Sequence, residues 1–461
     1  MAQRAALYLF LGLLVWAPWP LGSNRPWAWS LLEGWVFVCA ALWLIAWMRR
    51  DLRSLGVLRD AWPALAILGA WLVYLALYWI PLPAGLLRML SPESAALGAR
   101  TLSIDPNASF VFWLKSCAYA AAFALVLALA TTRERARMIA YALVLSGLLQ
   151  AVYGALMHLA GTDVDLFGAR IAHSSQASGA FVNRNHLAGF LEIGLAMGIG
   201  LLVGSLQESG RRTWRQFWRD TARMLLSARA PLRLFLVAMV IGLVMTRSRM
   251  GNTAFFSSLL IAGSVALLLR RHATRSTVIL IASLIVIDIF IVGTWFGVEK
   301  TLDRLQQTTA VDVEQRVEPS VYALDMLKDY PVLGAGAGSF YGAFPRYRGP
   351  DIGAFYDHAH NDYTQFLVET GPLGALLIGT LPLLALINAV LVLSRRRDPL
   401  ARGFAFAALM GVTAIAIHST VDFNLQIPAN ALAFVVLLAY AWIALFSASG
   451  PSARHSPERR P

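Results

Sequence analysis

Two histidines, an amide and a carboxylate stand within five residues at His358-Ala-His-Asn-Asp362, near the end of the longest polar stretch of an otherwise apolar chain. Imidazole is the side chain best suited to take up a proton near neutral pH, and a neighbouring carboxylate can orient it. Asn361 is a good N-cap and Asp362 suits a first turn, so a helix is expected to start here, its free N–H groups presented to any anion. If that helix takes in the whole motif, His358, Asp362, Gln365 and Glu369 line one face. The plainer alternative is that His360 and Asn361 only cap a helix re-entering a membrane.

Arginines supply the second chemistry. Arg247 and Arg249 sit in Thr246-Arg-Ser-Arg-Met-Gly251, a tight turn between apolar runs, with Gly251 allowing a sharp re-entry. Arg184 lies between Asn183 and Asn185, followed by His186 and another run. A guanidinium forks onto phosphate oxygens in pairs, so several at one membrane surface point to a phosphate or pyrophosphate ligand. Taken singly, each could instead snorkel to lipid headgroups. Lys115, near the outer end of a run, is either a further phosphate contact or a snorkelling cation. Among the acidic residues, Glu192 and Glu369 are expected to orient arginines by ion pairing, and Asp288 to bond between helices. His418 and Asp422 are spaced as an i, i+4 pair.

These residues need a scaffold, and composition says which. Of 461 residues 58% are hydrophobic and 14% charged, where a soluble domain carries about 25% charged residues. The fold class is therefore all-α, a polytopic membrane protein. The net charge of +13 would suit nucleic acid, but all except Lys115, Lys300 and Lys328 of the 39 basic residues are arginines, clustered in short flanks between apolar runs. That is the pattern of a membrane topology signal, with the bilayer and no nucleic acid as partner. Cys39 and Cys117 fall in separate apolar runs and suit neither a disulfide nor a metal site.

Runs long enough to cross a bilayer lie near 6–22, 28–48, 61–80, 110–131, 138–160, 186–205, 232–246, 251–269, 276–297, 373–393, 403–421 and 427–447, about twelve transmembrane helices. The segment 206–231 has the make-up of an amphipathic interfacial helix. Alternating the spans puts 25 Lys/Arg on one side and 13 on the other, with Lys115 inside a span. The richer side is cytoplasmic, so both termini are expected inside. Every motif-like stretch then shares the far face: Gly22-Ser-Asn-Arg-Pro26, Asn183-Arg-Asn-His186, the arginine turn, the segment 298–359, the histidine motif and Val421-Asp-Phe423.

The segment 298–359 is too long for a plain connection and is expected to be a structured cap without a core of its own. Within it, Val317–Tyr330 has helical periodicity with Pro319 in the first turn. The chain divides into nine spans over 1–297, a large periplasmic loop over 298–372, three spans over 373–447 and a disordered cytoplasmic tail over 448–461.

The set Asn183-Arg-Asn-His-Leu-Ala-Gly189, Ser248-Arg-Met-Gly251, Asp329-Tyr-Pro-Val-Leu-Gly334, His360-Asn-Asp-Tyr363, Glu369-Thr-Gly371 with Gly374, and Asp422 resembles the O-antigen ligase/polymerase superfamily. The likeness runs from about 110 to 447 and includes motif order and spacing. It implies a GT-C-like, metal-independent inverting glycosyltransferase of the bacterial inner membrane, without cofactor, working at the periplasmic face. The implied donor is an undecaprenyl-pyrophosphate-linked glycan, and the acceptor is lipid A–core, a lipid-linked glycan or a protein. The essential histidine falls on His360 and the phosphate-binding arginines on Arg249 and Arg184; Arg247, His358, Asn361, Asp362, Glu369, Asn183, His186 and Lys115 are candidate substrate contacts.

The chemistry can be stated without the family. A sugar C1 on pyrophosphate already carries a good leaving group, so catalysis requires that the departing charge be stabilised and the acceptor hydroxyl relieved of its proton. Arginines suit the first task and a neutral His360 the second. Two rivals share the composition. A Mg²⁺-dependent transferase would use Asp163-Val-Asp165, and a two-half transporter would need its polar groups at the membrane midplane.

Overall fold

A computed structural model describes residues 1–49, 56–161, 176–205, 230–269, 282–283, 319–350, 352–353 and 355–446. Eleven principal helices run through them: α1 Ala2–Trp16, α2 Pro26–Met48, α3 Trp62–Ala76, α4 Pro106–Leu129, α5 Arg133–Ala160, α6 Arg184–Gly204, α7 Ala230–Met245, α8 Arg249–Leu268, α9 Asp362–Arg395, α10 Pro399–His418 and α11 Pro428–Phe446. Eight are long and apolar enough to cross a membrane, and α1, α3 and α7 are shorter apolar helices. The chain is thus an all-helical polytopic membrane protein. Eleven of the twelve expected runs carry one of these helices; the run 276–297 apart from 282–283, the interfacial segment 206–231 apart from its last two residues, Asp163, Asp165 and Asp288 lie outside the described residues.

The helix starts follow local chemistry. Asp105, Thr132, Asn183, Ser248, Asn361 and Asp398 each cap a helix with a side-chain oxygen that accepts a backbone N–H of the first turn. Helix α6 is the centre of the bundle, buried at every residue from Asn185 to Gly204. Its small residues let neighbours approach closely: a Cβ on Gly200 would stand 2.4 Å from the Gly403 carbonyl of α10.

The helix ends sort into two groups. At one end, Gly22 packs on Phe181 and Ile427, Ile104 N–H donates to Ala335, Ala177 N–H donates to Met245, and Asp362 N–H donates to Ser419. At the other, Arg133 pairs with Asp398 and Gly204 packs on Pro399. All the described motif-like stretches occupy the first end. The four described non-glycine residues with left-handed backbone, Leu21, Ser23, Arg247 and His360, lie there as well. Such strain persists where the surrounding structure imposes it and gathers at functional sites.

Helix α9 is in two parts, as the Gly371-Pro372 step suggests. A polar helix starts at Asp362 and breaks at Gly371, where φ is 66° and ψ 173°, and the apolar run follows as a second helical stretch. A side chain at 371 would collide with the Val332 carbonyl 2.0 Å away, so only glycine fits. Breaking a helix frees carbonyls, and at membrane depth each must find a donor. Ala335 N–H donates to Val368 O (2.9 Å) and Gly336 N–H to Glu369 O (2.9 Å). The Tyr74 hydroxyl donates to Thr370 O at 2.7 Å, and Tyr78 reaches Leu333 O and Thr370 O. The outer segment and α3 together complete the broken helix.

The described part of the outer segment differs from expectation. It holds a small apolar cluster of its own, with Met326, Tyr330, Phe340, Phe344 and Ile352 buried together and Val368 of α9 closing it. The periodic stretch is helical at 319–323 and again at Met326–Asp329, with a turn between. Glu93 pairs with Arg346 at 2.5 Å and Tyr347 donates to Asp329 at 2.6 Å, tying the segment down.

Candidate functional site

The histidine motif folds around one aromatic ring. His186, His358 and His360 stand 4.6, 4.4 and 4.8 Å from the Phe423 ring, His358 stacked and the other two edge-on. Phe423 lies in the short connection from α10 to α11, whose Asp422 carboxylate is 3.4 Å from His186 Nε2. Burial alone would raise the Asp422 carboxyl, but the His186 imidazole and the Phe423 N–H hold it well below the usual carboxylate range. Asp422 is therefore a buried anion beside His186.

As expected, the helix has Asn361 as its cap and Asp362 in its first turn, so it does not take in the whole motif. It starts at Asp362, because Asn361 caps it: its Oδ1 accepts the Thr364 N–H at 3.0 Å, and its Nδ2 donates to Thr420 O at 2.8 Å. His358 reaches the helix face from outside. Gln365 Oε1 accepts the Ala359 N–H at 3.1 Å, which turns its amide nitrogen toward His358 Nδ1 (2.9 Å) and Glu369 Oε1 (3.4 Å). That network assigns the His358 lone pair to Gln365 and its proton to Nε2. Burial pushes the His358 pKa down to about 4, with Asp357 opposing. A neutral ring whose only lone pair is occupied is a hydrogen-bond donor, not a base.

The sign of this shift has a measurable consequence. With its folded pKa below the ordinary 6.5, His358 contributes stability that is fully present above pH 6.5 and lost as pH falls through about 4. His358→Gln removes that component. Between pH 7 and 4.5 the thermal midpoint of purified His358→Gln protein should therefore fall less than that of the wild type; an equal or steeper fall would contradict the neutral, buried assignment.

The acidic residues have partners within the protein. Asp362 Oδ2 accepts from the Ser419 hydroxyl (2.7 Å) and the Leu425 N–H (3.1 Å), fastening α9 to the α10–α11 connection. Glu369 accepts the Phe340 N–H at 3.0 Å, fastening α9 to the outer segment. Glu192 pairs with His418 at 2.7 Å, both fully buried, rather than orienting an arginine. Helix α10 ends at His418, so His418 and Asp422 are no i, i+4 pair: one faces Glu192 and the other His186.

The arginines stand on the same end. Arg184 opens α6, where Asn183 Oδ1 accepts the Asn185 N–H at 2.9 Å. Arg249 opens α8 behind the Ser248 cap, exposed like Arg247. Gly251 serves close packing rather than a sharp turn, since a Cβ there would stand 2.5 Å from Ala188 of α6. That contact seats the Arg249 end of α8 on the helix that carries Arg184 and His186.

Beside this cluster lies a cavity of about 680 Å³ between α2, α3, α4, α9, α10 and α11. Most of its lining is apolar, with Leu68, Val111, Ile378, Ile415 and Leu438; Arg25 and Asp357 are exposed at its mouth, and Lys115, His358 and Gln365 also line it. The arginines of the two motifs do not line it, and neither do His186 and His360. Lys115 does, its ammonium 3.8 Å over the Trp29 ring. Arg25 and Trp29 as cavity residues, Phe423 as the hub, and Tyr74 and Tyr78 as helix-break donors escape a reading of spacing. Their partners are remote in sequence, and only the Gly22–Pro26 and Val421–Phe423 stretches flagged their neighbourhoods.

No curated protein matches the chain. Residues 234–379, which take in the arginine turn, the outer segment and the histidine motif but not Lys115, Arg184, His186 or Asp422, match the family model Wzy_C, described as O-antigen ligase. The match spans less than half of the chain and supports its likeness to the O-antigen ligase/polymerase superfamily.

Proposed function

We propose that this protein is a metal-independent inverting glycosyltransferase of the bacterial inner membrane. At the periplasmic face it moves a glycan from undecaprenyl pyrophosphate to an acceptor of the lipid A–core type. The observation that carries this reading is the cavity: largely apolar in its lining, charged at its mouth, and sharing His358 with the histidine cluster. An amphipathic cavity beside an imidazole cluster suits chemistry on the headgroup of a lipid.

In the proposed step the acceptor oxygen attacks the sugar C1 as the bond from C1 to the pyrophosphate oxygen breaks. His360 takes the hydroxyl proton and later releases it to water. Undecaprenyl pyrophosphate departs with the bonding electrons, its charge met by Arg249 and Arg184. His358, as a neutral donor, and Asn361 shape the mouth, while Asp362 and Glu369 hold the helix that presents it. A single displacement inverts the anomeric centre. In a polymerase of the same superfamily only the acceptor differs, being a second lipid-linked glycan.

Transfer from a lipid-linked donor by the purified protein, with the product anomer determined, tests the activity; a retained configuration would rule out one-step displacement. Orientation is tested separately. In a background lacking Cys39 and Cys117, Gly353→Cys and Gly56→Cys both place a thiol where a Cβ meets nothing within 4 Å. In intact spheroplasts an impermeant thiol reagent should label position 353 and spare position 56. The opposite pattern would put the site in the cytoplasm.

A further inference from the structure

The cavity contains two cations that the arginine motifs do not explain. Lys115 projects into it from α4 and rests on the face of Trp29, a contact that positions an ammonium without neutralising it. Arg25, exposed at the head of α2, lines the same cavity beside Asn24. Neither forms an ion pair among the described residues; Glu33 and Glu369 act on Lys115 electrostatically from beyond pairing distance. Each buried cavity carboxylate has one oxygen engaged, Asp362 Oδ2 by Ser419 and Leu425 and Glu369 Oε1 by Phe340 and Gln365, while Asp362 Oδ1 and Glu369 Oε2 have no hydrogen-bond partner among the described residues; Asp357 is exposed at the mouth. The cavity therefore presents two cations without an ion-pair partner among the described residues, within a largely apolar lining.

Its position relative to the arginine motifs is equally informative. Contacts run from the cavity through His358 to Phe423, on to His186, and so to the helix opened by Arg184 and packed against the start of α8. The imidazoles thus stand between two separate cationic places.

We infer that Lys115 and Arg25 form a second anion seat, which holds the charged headgroup of a lipid acceptor whose chain lies in the cavity. The inference rests on the transferase reading, in which the motif arginines take the donor's pyrophosphate and a base stands between the leaving group and the incoming hydroxyl. Of the two substrates, the one left for the cavity must then suit an ammonium within a largely apolar lining. An anionic lipid does; a protein or a neutral glycan does not.

The first measurement needs no turnover. Wild-type protein in zwitterionic nanodiscs should bind a fluorescent decyl phosphate about tenfold or more tightly than the matching decanol, as expected for a charge-assisted contact. Lys115→Gln should bring the two within about twofold, Lys115→Arg should keep most of the preference, and Arg25→Gln should weaken it independently of packing at 115. An undiminished preference in both Lys115→Gln and Arg25→Gln overturns the seat. A lipid A–core glycolipid should displace the probe, and undecaprenyl pyrophosphate should not. Displacement by undecaprenyl pyrophosphate, undiminished in Arg249→Ala, would put the donor in the cavity and overturn the assignment. In the transfer assay Lys115→Gln should raise the acceptor KM and leave donor KM and kcat unchanged; a raised donor KM counts against it. A wild type that binds the phosphate through Lys115 yet transfers nothing refutes the transferase reading alone, and active transfer indifferent to Lys115 refutes the seat alone.

Discussion

His360→Gln is expected to bind a lipid-linked donor as the wild type does and to turn it over about 10²–10⁴-fold more slowly, the usual cost of losing a general base. Glutamine keeps hydrogen bonding and approximate size and removes only proton acceptance. The neighbouring histidine sharpens the comparison. His358 offers its lone pair to Gln365 and stays neutral, so His358→Gln should lose far less turnover. His360 is held edge-on to Phe423 with a left-handed backbone at φ 52°, a conformation the surrounding contacts must impose. Transfer by purified protein, alongside donor binding, decides the matter. Normal turnover in His360→Gln with a dead His358→Gln would move the base by two residues; activity in both would remove a histidine base from this motif.

Arg249→Ala should lower transfer about 10²–10³-fold, the cost of removing one charge-stabilising donor from a developing anion, while expression and insertion stay intact. Its exposure at the head of α8 makes a folding defect unnecessary to explain a loss: Ser248 caps the helix and Gly251 packs it, neither through the guanidinium. Arg249→Lys should recover only part of the rate, because an ammonium cannot make the two-pronged contact. Full activity in Arg249→Ala would leave the residue as a surface cation facing lipid headgroups.

Much of this architecture is legible in the chain. Apolar runs and polar caps mark the helices because a bilayer demands length and each helix start demands acceptors for its N–H groups. Asn361, Ser248 and Asn183 announce their helices in this way. The break at Gly371-Pro372 is legible too, but what satisfies its freed carbonyls is not: the donors from Tyr74, Tyr78, Ala335 and Gly336 are remote in sequence. Pairing is hidden for the same reason. Glu192 and His418 are 226 positions apart, and the spacing of His418 and Asp422 reveals neither the Glu192 partner of the one nor the His186 partner of the other. The outer segment's own apolar cluster also escapes notice, because Met326, Tyr330, Phe340 and Phe344 are dispersed among glycines and prolines rather than set in a periodic run.

The broken helix also sets a clock on biogenesis. Tyr74 and its acceptor, the carbonyl of Thr370, are 296 residues apart. At about 5–20 residues per second, a ribosome needs roughly 15–60 s to travel between them. Throughout that interval the third span must sit in the membrane with two phenol hydroxyls awaiting partners that have not been synthesised. The polar half of α9 emerges just ahead of the apolar run that follows Gly371, so it joins the bundle at the end that carries the motifs. This face of the protein is therefore closed last, by residues translated early meeting residues translated late, and a chain truncated before Gly371 has no means of closing it.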